Sequence, residues 1–147
     1  MSKQLGCTAH IIIRPNDLRN LKNHSSRRNV PVAGEALRTL EAIVEGKSRD
    51  SSQPIFERYS GDKGPTNASA TLMKQLRAAA ITDKKKTIHS LRHAIKQALR
   101  DVECPKDVSD AIQGHSSAGA SASYGSGHSL EVMARWLEKA HAKIGLG

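Results

Sequence analysis

Residues 87–124 restrict the fold more than any other stretch of the chain. They hold two helical patterns, two breaks and a loop of small residues. Leu91, Ile95, Ala98 and Leu99 recur at helical spacing and predict a helix over residues 90 to about 102. Cys104-Pro105 ends it, because a residue before proline is pushed out of the helical region. A short helix is expected from Pro105 or Lys106, with Val108 and Ile112 as its apolar contacts. Gly114 stops that helix and leaves His115 in the following loop. Residues 116–127 are nearly all Ser, Ala and Gly, which by composition alone is a flexible linker. Tyr124 stands inside it. A phenol, imidazoles and a guanidinium within one short segment are the equipment for attack on a phosphate.

The remaining chain predicts an α+β fold, mainly α-helical, with a small N-terminal antiparallel β-sheet over residues 1–34 and a helical part over 35–147. Ala9-His10-Ile11-Ile12-Ile13 is a β-branched strand stopped by Arg14-Pro15-Asn16-Asp17. Val30-Pro31-Val32 resumes an extended segment, and proline there suggests an edge. Two or three strands with basic turns, including Arg27 and Arg28, are the simplest arrangement. Leu37, Leu40, Ile43 and Val44 predict a helix with a core face over residues 34–44. Residues 45–66 are polar and read as a long loop containing Tyr59. Asn67 or Ser69 is expected to cap a helix to about Ala80, with Leu72, Met73, Leu76 and Ala79 facing inward. A last helix starts at His128 or Ser129 and reaches about Ile144, with a stripe of Leu130, Met133, Trp136 or Leu137, Ala140 and Ile144.

The charge points to a polyanion. The 147 residues carry 23 Lys+Arg against 14 Asp+Glu, a net charge of +9. Aromatics make up only 3%, which argues against base-stacking platforms and favours contacts to backbone phosphates. Asp83-Lys84-Lys85-Lys86 is a basic turn directly before His89. It reads either as a solvated charge run or as a hold on a DNA backbone. Cys7 and Cys104 are far apart without a Cys-x-x-Cys pair, so no disulfide framework is indicated and a reducing compartment fits. His89 and His93 stand at i, i+4, but no cysteine pair or His-Glu-x-x-His accompanies them, and no metal is expected. No apolar run approaches membrane-span length.

In these boxes the chain resembles the catalytic domain of the tyrosine recombinases, the phage-type integrases. The family's His-x-x-Arg box matches His89-Ser90-Leu91-Arg92, its Gly-His box matches Gly114-His115, and its nucleophile matches Tyr124. His115 follows Arg92 by 23 positions and Tyr124 follows His115 by 9, both usual for the family. Leu21-Lys22-Asn23 resembles the strand-turn that carries the family's catalytic lysine, and Asn29-Val30-Pro31-Val32 the strand after it.

The resemblance implies site-specific recombination or integration of double-stranded DNA. Tyr124 would attack a phosphodiester and form a 3′-phosphotyrosyl link. That link keeps the bond energy, so no cofactor is implied. Arg92 and His115 would bind the phosphate, His89 would act as proton acceptor or phosphate ligand, and Lys22 would protonate the leaving oxygen. Arg27, Arg28, Lys84, Lys85 and Lys86 would contact the DNA backbone. The C-terminal helix would either pack in its own domain or dock on a neighbouring subunit in a homo-oligomer. The setting implied is the bacterial cytoplasm, at the nucleoid, with no membrane.

The family's further arginine, in a Gly-x-Arg-x-x-Glu motif upstream of the sheet, has no match here; Arg14 and Arg19 do not fit it. The expectation is therefore a partial catalytic domain, truncated at its N-terminal side and inactive or nearly so alone. The alternative is a noncatalytic DNA-binding or assembly module derived from an integrase.

Overall fold

A computed structural model describes residues 8–15, 27–46, 54–115 and 128–145. The β-branched run forms strand β1, His10–Ile13, and the Val-Pro segment forms β2, Arg28–Pro31. They pair antiparallel, with His10 opposite Pro31 and Ile13 opposite Arg28. Val32 extends the pairing by donating its amide to the carbonyl of Ala9 at 2.9 Å. In this two-stranded sheet Pro31 occupies an edge strand, where a missing N–H is tolerated.

Among the described residues, five helices follow: α1 Gly34–Glu45, α2 Gly64–Ala78, α3 Ile88–Asp101, α4 Lys106–Gln113 and α5 Leu130–Lys143. The mainly helical α+β architecture expected from the sequence is thus present. A 3-10 turn at Glu57–Tyr59 precedes α2. That helix begins at Gly64, ahead of the expected cap at Asn67 or Ser69, with Pro65 in its first turn. Proline suits that position because the first helical amides have no partner inside the helix. Glycine suits Gly64 because the backbone of Tyr59 fills the place of a side chain.

The chain divides into two compact units, residues 1–38 with 96–147, and residues 39–95. In the first unit α5 packs on β2 and on α4, and α4 packs on β2. Its core is Ala33, Ala98, Leu99, Val108, Ile112, Met133, Leu137 and Ala140. Val108 and Ile112 are one turn apart on α4, and Met133, Leu137 and Ala140 make one stripe on α5, as their spacing predicts. Ser129 caps α5, its hydroxyl accepting from the amide of Val132 at 3.3 Å.

The second unit departs from expectation. Among the described residues, every buried apolar side chain belongs to the first unit. No residue of α1 is buried, and Val44 is exposed. Leu72 of α2 and Ala79 just after it are exposed, while Met73 and Leu76 are half-buried. On α3 the expected stripe splits: Leu99 is 0% exposed and Leu91 is 51% exposed. Periodicity identifies a face, and a partner must still be present to cover it.

Candidate nucleic-acid interface

In the unit of residues 39–95, a tight turn presents the basic run. Asp83 shapes it: its carboxylate accepts from the amide of Lys85 at 2.9 Å, and its carbonyl accepts from the amide of Lys86 at 3.0 Å. Arg77, near the end of α2, grips the turn with its guanidinium. It donates to the carbonyls of Ile81, Asp83 and Lys86 at 2.6, 2.8 and 2.9 Å. Guanidinium is suited to this because its donors are fixed in one plane. Lys84, Lys85 and Lys86 are all exposed.

Helix α3 starts directly after this turn. Ser90 accepts from the amide of Thr87 at 3.1 Å through its hydroxyl, while its own amide bonds the Thr87 carbonyl at 2.9 Å. This pair closes the first turn, with the Ser90 hydroxyl making one of the two bonds of a capping box and Thr87 contributing its carbonyl. It places His89 in the first turn, where free amides and the helix dipole favour an anion. His89 and His93 are exposed, and Arg92 is half-buried with an interaction of its own.

In the other unit, α4 ends as the sequence predicts. Gly114 adopts a left-handed conformation, φ 69°. The amide of His115 bonds the Asp110 carbonyl at 3.0 Å and that of Gly114 bonds the Ala111 carbonyl at 3.4 Å. These two bonds are those of a Schellman cap. The Arg28 guanidinium lies across the cap, its Nε donating to the Ile112 carbonyl at 3.2 Å. A Cβ at Gly114 would meet that guanidinium. A cation at the carbonyl end of a helix is favourable. His115 extends from this end, with its Nδ1 3.8 Å from Oδ1 of Asp110. Asp110 is only 7% exposed and also takes an ion pair from Lys106.

Beside this cap is a cleft of about 730 Å³. Ile12, Ile13, Leu130 and Met133 give it apolar walls, and Arg14, Arg27 and Arg28 give it cationic ones. Arg14 and Arg27 are exposed. His128 also lines the cleft, and its Nε2 is 3.1 Å from Oδ2 of Asp107, which ties the start of α5 to the start of α4. Forked guanidinium donors on an apolar floor can hold a phosphate group.

Of the residues expected to act, His89, Arg92 and Lys84–Lys86 lie in the unit of residues 39–95, and Arg27, Arg28 and His115 in the other. Tyr124 and Lys22 lie outside the described residues. Arg28, expected on DNA, has its side chain engaged with the end of α4. Sequence reasoning missed Arg77, Arg14 as a cleft residue, and the carboxylates of Asp107 and Asp110 beside two histidines. Among the described residues no group of three His, Cys, Asp or Glu is placed to hold a metal, and no helix is long and apolar enough to cross a membrane. No family model, no curated protein and no solved structure matches the chain.

Proposed function

We propose that this chain carries the catalytic boxes of a tyrosine-recombinase-type domain that cuts and rejoins double-stranded DNA. The observation that carries this reading is the spacing of His89-x-x-Arg92, Gly114-His115 and Tyr124. Three features support it. His115 leaves the end of α4 through a glycine cap. His89 stands in the first turn of α3 behind an exposed lysine run. Arg14 and Arg27 line a cleft. The fold proposed is the integrase catalytic one, in a DNA-associated protein of the bacterial cytoplasm that assembles on DNA through α5.

In the reaction the Tyr124 oxygen attacks phosphorus, and the bond to the 5′ oxygen breaks. Lys22 supplies the proton to that oxygen, and Arg92 and His115 stabilise the charge on the phosphate. His89 takes the phenolic proton or binds the phosphate. A free 5′-hydroxyl from another strand then attacks the phosphotyrosine and releases the tyrosine. The sequence holds no Gly-x-Arg-x-x-Glu arginine. Losing one donor to a transition-state oxyanion costs roughly 10²–10³ in rate. Strand cleavage by this chain is therefore expected to be slow.

The test is covalent trapping on nicked duplex DNA, read on a denaturing gel, with Tyr124→Phe alongside. An adduct that depends on Tyr124 supports strand transfer; an adduct that persists in Tyr124→Phe refutes the nucleophile. DNA binding without any adduct favours the second reading, a noncatalytic DNA-binding module, which the exposed lysine run supports.

A further inference from the structure

We propose that the arginine-lined cleft of the first unit binds a small phosphate monoester that carries an apolar body. Every described residue lining it belongs to that unit. Two observations carry the proposal. The first is a like-charge pair. Ile13 pairs with Arg28, so the next residues on the two strands are Arg14 and Arg27. Like charges at facing positions destabilise a ribbon. Both side chains are exposed, and among the described residues neither forms an ion pair with a carboxylate. No described Asp or Glu lines the cleft either. Arg28 differs, since its guanidinium is engaged with the end of α4. An anion between Arg14 and Arg27 replaces repulsion with attraction.

The second observation is apolar surface left open beside that charge. Ile12 is 59% exposed, and no large apolar side chain among the described residues is more so. Ile13 and Leu130 are half-buried, and the buried Met133 also lines the cleft. Covering such a surface with an apolar group removes it from water, which is favourable. The volume of about 730 Å³ falls within the roughly 300–1,000 Å³ of small-molecule sites, which combine apolar walls with a few placed polar groups. Charge then selects among anions. A phosphate monoester carries roughly 1.5 to 2 negative charges at neutral pH and offers three acceptor oxygens. A carboxylate, a sulfonate or a phosphodiester carries one charge. Two guanidinium forks therefore match the monoester best. This site does not rest on the DNA reading above.

The experiment is a calorimetric titration of the whole chain with 1-naphthyl phosphate, at neutral pH in a phosphate-free buffer and without DNA. Inorganic phosphate, which lacks the apolar body, and 1-naphthalenesulfonate, which has one charge, are titrated in parallel. Naphthyl phosphate should bind at least tenfold more tightly than either. Arg14→Gln and Arg27→Gln should each weaken it tenfold or more. Ile12→Asn, at an exposed position that folding tolerates, should bring naphthyl phosphate down towards inorganic phosphate. Lys74→Gln makes the same change of charge on an exposed residue of α2 and should leave the affinity unchanged. Circular dichroism of each variant should match the parent chain. Equal affinity for naphthyl phosphate and inorganic phosphate overturns the proposal. So does unchanged affinity in Arg14→Gln and Arg27→Gln, or an equal loss in Lys74→Gln. Because no DNA is present, failure here leaves the strand-transfer reading to its own trapping test.

Discussion

Gly114 meets two demands. Its backbone is left-handed, and the Arg28 guanidinium occupies the place where a side chain would begin. The conformation alone costs a non-glycine residue roughly 1–2 kcal/mol. Gly114→Ala should therefore destabilise the first unit by that amount or more, measured by urea unfolding, and Arg28→Ala in the same background should recover part of the loss. Glycine followed by histidine was legible as a helix stop, because the amino acid itself carries the backbone preference. Arg28 was legible only as a surface cation, because nothing local to residues 27–28 shows that a helix end will arrive beside them. Cys104 is a second case. Burial, reinforced by the carboxylate of Asp107, raises its thiol pKa. A thiol disulfide reagent at neutral pH should label it more slowly than a model peptide thiol, because the thiolate is the reactive form.

Within one helix, burial decides what a leucine contributes. On α3, Leu99 is fully enclosed while Leu91 is half open to solvent. Leu99→Ala should cost about 2–5 kcal/mol and Leu91→Ala under about 1 kcal/mol, compared by denaturant unfolding. The helical period revealed both as candidates for a core face, and only packing separates them. Helix α5 shows the converse over most of its length: Met133, Leu137 and Ala140 of the expected stripe are buried and Ser129, one of two expected starts, caps it, while Ile144 stays exposed. Ser129→Ala should cost about 1 kcal/mol through loss of the bond to the Val132 amide. Glu131, in the first turn of α5, has its carboxyl pKa lowered by its own backbone amide, then by the hydroxyls of Ser129 and Thr8. The sign follows from the lowered pKa. The contribution is present above the ordinary carboxylate value and is lost as pH falls through the lowered one. Glu131→Gln should accordingly flatten the acid limb of a stability-versus-pH curve.

For the molecule as a whole, the net charge of +9 makes a salt-sensitive association with DNA the first expectation. The logarithm of the association constant should fall linearly with the logarithm of salt concentration, and replacing Lys84, Lys85 and Lys86 with Gln should make that slope shallower. A salt-independent affinity in a filter-binding or fluorescence titration would exclude a backbone-phosphate contact. Ile144, 41% exposed at the end of α5, offers a test of assembly. Ile144→Asp should weaken self-association on DNA in sedimentation while leaving unfolding nearly unchanged. The charge was fully legible in the sequence, and the concentration of the buried core of the described residues in one unit was not, because composition does not say which apolar faces meet. The Arg28 contact also bears on portability. The direction in which the chain leaves α4 is set partly by a strand that precedes it by more than half the protein's length. Anyone transplanting the Gly114-His115 tip into another scaffold must carry β2 with it, and a chain in which Arg28 is replaced by Ala should keep the helix yet loosen the aim of the histidine.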